Sequence, residues 1–129
     1  MFYSYPLAIA AANTVDNPAT VDMDLSAGII HQADFLFPDT ADHNIRVQVF
    51  DASFQVWPSN RGGTIRGDAA VISFREFYEL TQSSNRLQAR AWWADTSTEC
   101  TIWIQLGVLP RAILQPFSLA ELLRAVQQS

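Results

Sequence analysis

Apolar and polar residues alternate with a period of two along much of this chain. In "CTIWIQLGV", residues 100–108, Ile102, Ile104, Leu106 and Val108 share one face while Thr101, Trp103 and Gln105 share the other. That is the pattern of a strand with one buried face. "RLQARAWW", residues 86–93, places Leu87, Ala89, Ala91 and Trp93 inward and Arg86, Gln88, Arg90 and Trp92 outward. The intervening "ADTST" carries turn chemistry, so the two segments are expected to form a hairpin. "IIHQADFLF" (29–37) and "NIRVQVF" (44–50) alternate in the same way and are separated by Pro38 and an Asp-rich loop. Shorter β-like runs fall at 2–9, 20–25, 54–57 and 70–74. This cadence of short strands and turns predicts an all-β chain, an antiparallel β-sandwich of jelly-roll-like character.

After Pro110 the period changes. Pro110 and Pro116 stop the alternation, Ser118 and Glu121 form a capping box, and Leu119, Leu122, Leu123 and Val126 recur at helical spacing. The expected organisation is a β-sandwich domain with an N-terminal arm over residues 1–110, then a linker and a short C-terminal amphipathic α-helix over 111–129. The helix would either close its own sandwich or be carried by "RAILQPF" onto a neighbouring subunit. The start, "MFYSYPLAIAAAN", lacks a basic n-region and is interrupted by Pro6, so it reads as a mature N terminus. No apolar run approaches the roughly 20 residues that span a bilayer.

Composition narrows the choice of partners. A chain of 129 residues suits one domain, and 49% hydrophobic with 16% charged residues implies a globular fold with a largely neutral surface. The net charge of −5 comes with eight basic residues, all of them arginine. That balance argues against nucleic-acid binding, which needs clustered positive charge. The single cysteine, Cys100, permits neither an intrachain disulfide nor a Cys-rich metal site.

The loop "VWPSNRGGTIRGDAAVISF", residues 56–74, contains Arg66-Gly67-Asp68, a tripeptide some receptors read from exposed loops. Turn chemistry accounts for each residue: Gly62, Gly63 and Gly67 permit positive φ, and Asp68 can cap a turn. The stretch therefore reads first as a sheet corner and second as a ligand loop. Of the two histidines, His31 shares its strand face with Ile29, Ala33, Phe35 and Phe37 and reads as a hydrogen-bonded core or edge residue. His43 lies with Asp39 and Asp42, which could hold a cation but lack calcium-loop spacing. Asp22 and Asp24 flank Met23 as on an exposed strand edge, and Glu76 and Glu79 sit in "REFYEL", where Phe77, Tyr78 and Leu80 read as structural. No nucleophilic triad is present in pattern, so no enzyme activity, cofactor or metal is expected. In the expected hairpin Trp92 would lie opposite Trp103 with Arg90 beside them, a platform for a sugar ring or a protein partner.

Several of these motifs together resemble a known group. Gly28 before an apolar strand, Phe37-Pro38, "WPSN" at 57–60, Gly67-Asp68, "FREFY" at 74–78 and "WAD" at 93–95 resemble small all-β proteins encoded among the structural genes of tailed phages and prophages. The likeness covers residues 26–110 and departs at Phe77, an added aromatic between Glu76 and Tyr78. It implies a virion structural protein, such as a capsid decoration or cement protein that stabilises the shell through subunit contacts. The implied partners are further copies of itself, as a trimer by analogy with small decoration proteins, and the major capsid protein or other virion proteins. On that reading Phe2, Tyr3 and Tyr5 from the arm, the Arg90, Trp92 and Trp103 face, and Leu119, Leu122 and Leu123 from the helix would dock on adjacent subunits. The alternative is a carbohydrate- or receptor-binding module of a virion or cell surface, using the tryptophan face or Arg66 to Asp68.

Overall fold

The structure, a computed structural model, describes residues 1–110 apart from Asp42, Thr96 and Ser97. Eight strands follow one another: β1 (Phe2–Ile9), β2 (Ala19–Asp24), β3 (Gly28–Phe37), β4 (Ile45–Asp51), β5 (Phe54–Trp57), β6 (Ala70–Leu80), β7 (Arg86–Trp93) and β8 (Cys100–Leu109). A single 3-10 turn, Asp39–Ala41, sits between β3 and β4. The strands form two four-stranded sheets, ordered β1-β8-β3-β6 and β2-β7-β4-β5, with every pairing antiparallel. Side chains from both sheets meet in one core, in which Met23, Phe35, Val47, Leu87, Ile104 and Leu106 are almost wholly buried. This is a two-layer, sandwich-like all-β architecture, and alternation along each strand is what makes it possible: one face of each strand feeds the shared core.

The expected hairpin of residues 86–93 and 100–108 does not form. β7 pairs with β2 and β4, whereas β8 lies in the other sheet between β1 and β3. Turn residues specify that the chain reverses, and a corner that crosses between sheets uses the same residues as a hairpin. The expected N-terminal arm is likewise a strand. Residues 2–9 pair with β8 along their full length, from Phe2 opposite Gly107 to Ile9 opposite Cys100.

Two further expectations are corrected. The β6 strand continues beyond Phe74 to Leu80, so "REFYEL" belongs to it, and Phe77 points to solvent instead of packing inside. His31 does not lie on the core face. The register of β3 shifts between Ile30 and Gln32 against both neighbours, so Ile30 and Ala33 stay inward while His31 leaves the core side. Its ring lies over Gly107, where a Cβ would come within 2.7 Å of His31 Nε2. The expected C-terminal helix, with Leu119, Leu122 and Leu123, lies outside the described residues.

Candidate functional site

The two sheets differ on their outer faces. On the β1-β8-β3-β6 sheet, Pro6 is opposite Trp103, Trp103 opposite Leu36, and Leu36 opposite Val71. An apolar row therefore crosses all four strands, with Trp103 43% and Val71 58% exposed. The next row is polar: Ser4, Gln105, Asp34 and Ser73. Asp34 is nearly buried there, and its carboxylate accepts hydrogen bonds from the Ser73 hydroxyl and, at 3.3 Å, from Gln32 Nε2. Asp34 is thus satisfied within the sheet by Ser73 and Gln32, while the apolar row is covered by no strand among the described residues.

The outer face of the β2-β7-β4-β5 sheet is mostly polar, with Phe50 and Trp92 set among charged and amide side chains. Arg86 Nε donates to Asp24 Oδ1 at 2.6 Å, and Gln88 Nε2 donates to Asp22 Oδ1 at 3.2 Å. That bond and the Asp24 charge hold the Arg86 guanidinium above its ordinary pKa, but both groups are exposed, so the pair adds little stability. The Arg90 guanidinium lies 4.2 Å from the centroid of Phe50, and its Nε donates to Gln88 Oε1. Trp92 lies opposite Arg46. The expected platform of Trp92, Trp103 and Arg90 is therefore not assembled, because Trp103 belongs to the opposite sheet.

The arm residues also divide. Tyr3 and Tyr5 face inward and stack, with centroids 6.4 Å apart. The Tyr3 hydroxyl shares a 2.6 Å hydrogen bond with Ser26 Oγ, and the Tyr5 hydroxyl donates to the Asp24 carbonyl. Burial, reinforced by Tyr3 and Asp24, raises the Tyr5 pKa. Both rings close their own sandwich, and of the three only Phe2 projects outward.

The Arg66-Gly67-Asp68 stretch is pinned at a corner. Gly67 is buried, its carbonyl accepts from the His43 amide at 3.3 Å, and a Cβ there would come within 2.8 Å of the Phe37 ring. Gly67 is glycine for lack of space, and the positive φ values fall instead on Gly62 and Ala69. The Asp68 carboxylate stands 4.0 Å from His43 Nε2. Among the described residues no group of three or more His, Cys, Asp or Glu side chains is placed to hold a metal, and Asp42 of the His43 loop lies outside them. We expect Gly67→Ala to cost about 1–3 kcal/mol by overpacking against Phe37, whereas Arg66→Ala changes stability by less than about 0.5 kcal/mol. Parallel urea titrations of the two variants check this.

Sequence reasoning missed a cleft where the sheets part between β5 and β6. It encloses about 270 Å³ and is lined by Trp57, Pro58, Ser59, Ile65, Ile72, Phe74 and Glu76. Trp57 meets Phe74 and Tyr78 edge-on, at 5.6 and 6.3 Å between centroids, and its Nε1 donates to Glu76 Oε2 at 2.8 Å. Tyr78 donates to Asp51 Oδ2 at 2.6 Å. Burial first, then this bond and the Asp51 charge, hold the Tyr78 hydroxyl well above the usual tyrosine range. A raised folded-state pKa contributes stability that is fully present below about pH 10, the unfolded tyrosine value, and is lost as pH climbs from there toward the folded value. Wild type should therefore lose more stability than Tyr78→Phe between pH 9 and 11 in denaturant titrations. At pH 7 the variant should be weaker by about 1 kcal/mol.

Cys100, partly covered, has its thiol pushed up by burial against a smaller opposing effect of a hydrogen bond with Thr40. Among the described residues no helix is long and apolar enough to cross a membrane. No protein-family model, curated protein or solved structure matches this chain.

Proposed function

We propose that this chain is a structural protein of a phage virion, a capsid decoration or cement protein that stabilises the shell through subunit contacts. The observation that carries the reading is the apolar row of Pro6, Trp103, Leu36 and Val71 on one outer face, set against the mostly polar, hydrogen-bonded outer face of the other sheet. An exposed tryptophan with flanking aliphatic groups suits the centre of a contact that would cover it, and the polar row beside it suits a rim. Contacts repeated around a symmetric shell add by avidity, so each can be modest on its own. The motif resemblance over residues 26–110 supports the virion setting. The strand order, 1-8-3-6 facing 2-7-4-5, supports the finer reading of the sandwich as a jelly roll.

The test is peptide mass spectrometry of gradient-purified particles from the phage whose genome carries this coding sequence. The expected result is this chain in fixed ratio to the major capsid protein. Its absence from intact particles, with the protein present in the lysate, overturns the reading. The alternative of a carbohydrate- or receptor-binding module is now favoured by one feature only, the aromatic cleft beside Trp57. Saturable binding of a sugar to the purified chain, lost on changing Phe74, would support it.

A further inference from the structure

Among the described residues Phe77 is the most exposed of the large apolar side chains, at 70%, and it stands near the middle of β6. β6, eleven residues long, is an edge strand that among the described residues pairs only with β3. An edge of that length offers a template for another strand. It contains no proline and has no strand laid over its outer side among the described residues. The Phe77 amide donates to the carboxylate of Glu76 at 2.9 Å, at the register shift where Glu76 and Phe77 together face His31.

We propose that β6 pairs antiparallel with β6 of a second copy about a two-fold axis through Phe77. Facing residues in such a ladder must share a side of the sheet, which leaves few registers to compare. An axis through Arg75 would set two guanidinium groups against each other, and one through Glu76 would oppose two carboxylates, both unfavourable. An axis through Tyr78 would leave Phe77 facing the partner's Glu79. The axis through Phe77 instead sets the two exposed rings against each other. It places Arg75 opposite the partner's Glu79 and, by symmetry, Glu79 opposite the partner's Arg75. On the inner side Phe74 meets the partner's Leu80, and Glu76 meets the partner's Tyr78.

Glu79 keeps an interaction within its own chain as well. The aromatic pair and the backbone ladder carry the contact, and the ion pairs select its register. The β1-β8-β3-β6 sheets of two copies then become continuous, which brings both apolar rows onto one outer face. This contact is independent of the virion reading. It predicts dimers, where the analogy with decoration proteins points to trimers.

The experiment is sedimentation velocity on the full chain from about 1 to 200 μM, a range that brackets typical weak self-association, with circular dichroism to confirm folding. Wild type should form a dimer. Phe77→Asp should weaken it at least about 100-fold, and Arg75→Glu about tenfold, through two lost pairs and the new repulsion. The double variant Arg75→Glu, Glu79→Arg should return to within about threefold of wild type, because it restores both pairs in the reversed sense. A wild-type monomer or trimer throughout the range, a dimer indifferent to Phe77→Asp, or a double variant no tighter than Arg75→Glu overturns the proposal.

Discussion

Trp57→Ala is expected to remove about 3–5 kcal/mol of folding free energy, roughly a third of what a domain of this size holds. Trp57 is only 2% exposed, although it stands at the side where the two sheets part. There it meets Phe74 and Tyr78 and donates to Glu76. β5 and β6 are edge strands of different sheets, so the indole ties together the side of the sandwich that no ladder closes. Deleting it loses the ring's burial, enlarges the cleft and leaves Glu76 Oε2 without this donor. Because the cleft already opens to solvent, water can fill the enlarged space, and the lower end of the range is expected. The melting temperature should fall by about 10 °C. Trp57→Phe keeps most of the packing and loses only the N–H donor, at about 1 kcal/mol. Urea titration followed by circular dichroism separates these outcomes. A loss under about 1 kcal/mol for the alanine variant would mean that the indole does not anchor this edge.

The second large effect is Phe35→Ala, at about 3–5 kcal/mol, set against Phe77→Ala, at less than about 0.5 kcal/mol. The two phenylalanines lie on neighbouring strands and differ chiefly in burial. Phe35 is fully buried, faces Ile104 and Ile72 across the ladders and stacks on Phe74 with centroids 6.0 Å apart. Its removal leaves a cavity in the middle of the core that the flanking strands cannot close without breaking register. Among the described residues Phe77 has little to lose beyond a partial contact. The comparison belongs at sub-micromolar protein, about 0.5 μM, where self-association adds nothing to apparent stability. A loss above about 1.5 kcal/mol for Phe77→Ala, outside the range expected at an exposed site, would show that the ring is packed.

The strands were legible because a half-buried strand writes its own period. Phe2–Ile9, Phe54–Trp57 and Arg86–Trp93 have the bounds that alternation gives them. Which strand lies beside which was not legible. The apolar face of residues 86–93 says that one side is buried, and it is silent on whether residues 100–108 sit next to it or across the core. The Trp92 and Trp103 platform was lost at that step. His31 was misplaced because a period of two was carried through a register shift that no residue type marks. Gly67 was recognised as part of a corner, but its reason, the Phe37 ring, comes from a strand thirty residues earlier. The cleft escaped for the same cause: Phe74, Glu76 and Tyr78 visibly share a face, yet the bond from Trp57 to Glu76 spans nineteen residues and joins two sheets.

The most direct measurement of the proposed shell-binding role is binding of the purified full chain to phage particles that lack it, scored by co-sedimentation. Three proteins should be compared: wild type, Trp103→Glu and Trp92→Glu. The two substitutions place the same charge on opposite outer faces of the sandwich. The account predicts that wild type and Trp92→Glu pellet with the particles while folded Trp103→Glu stays in solution. Trp103→Glu pelleting as wild type does would contradict it.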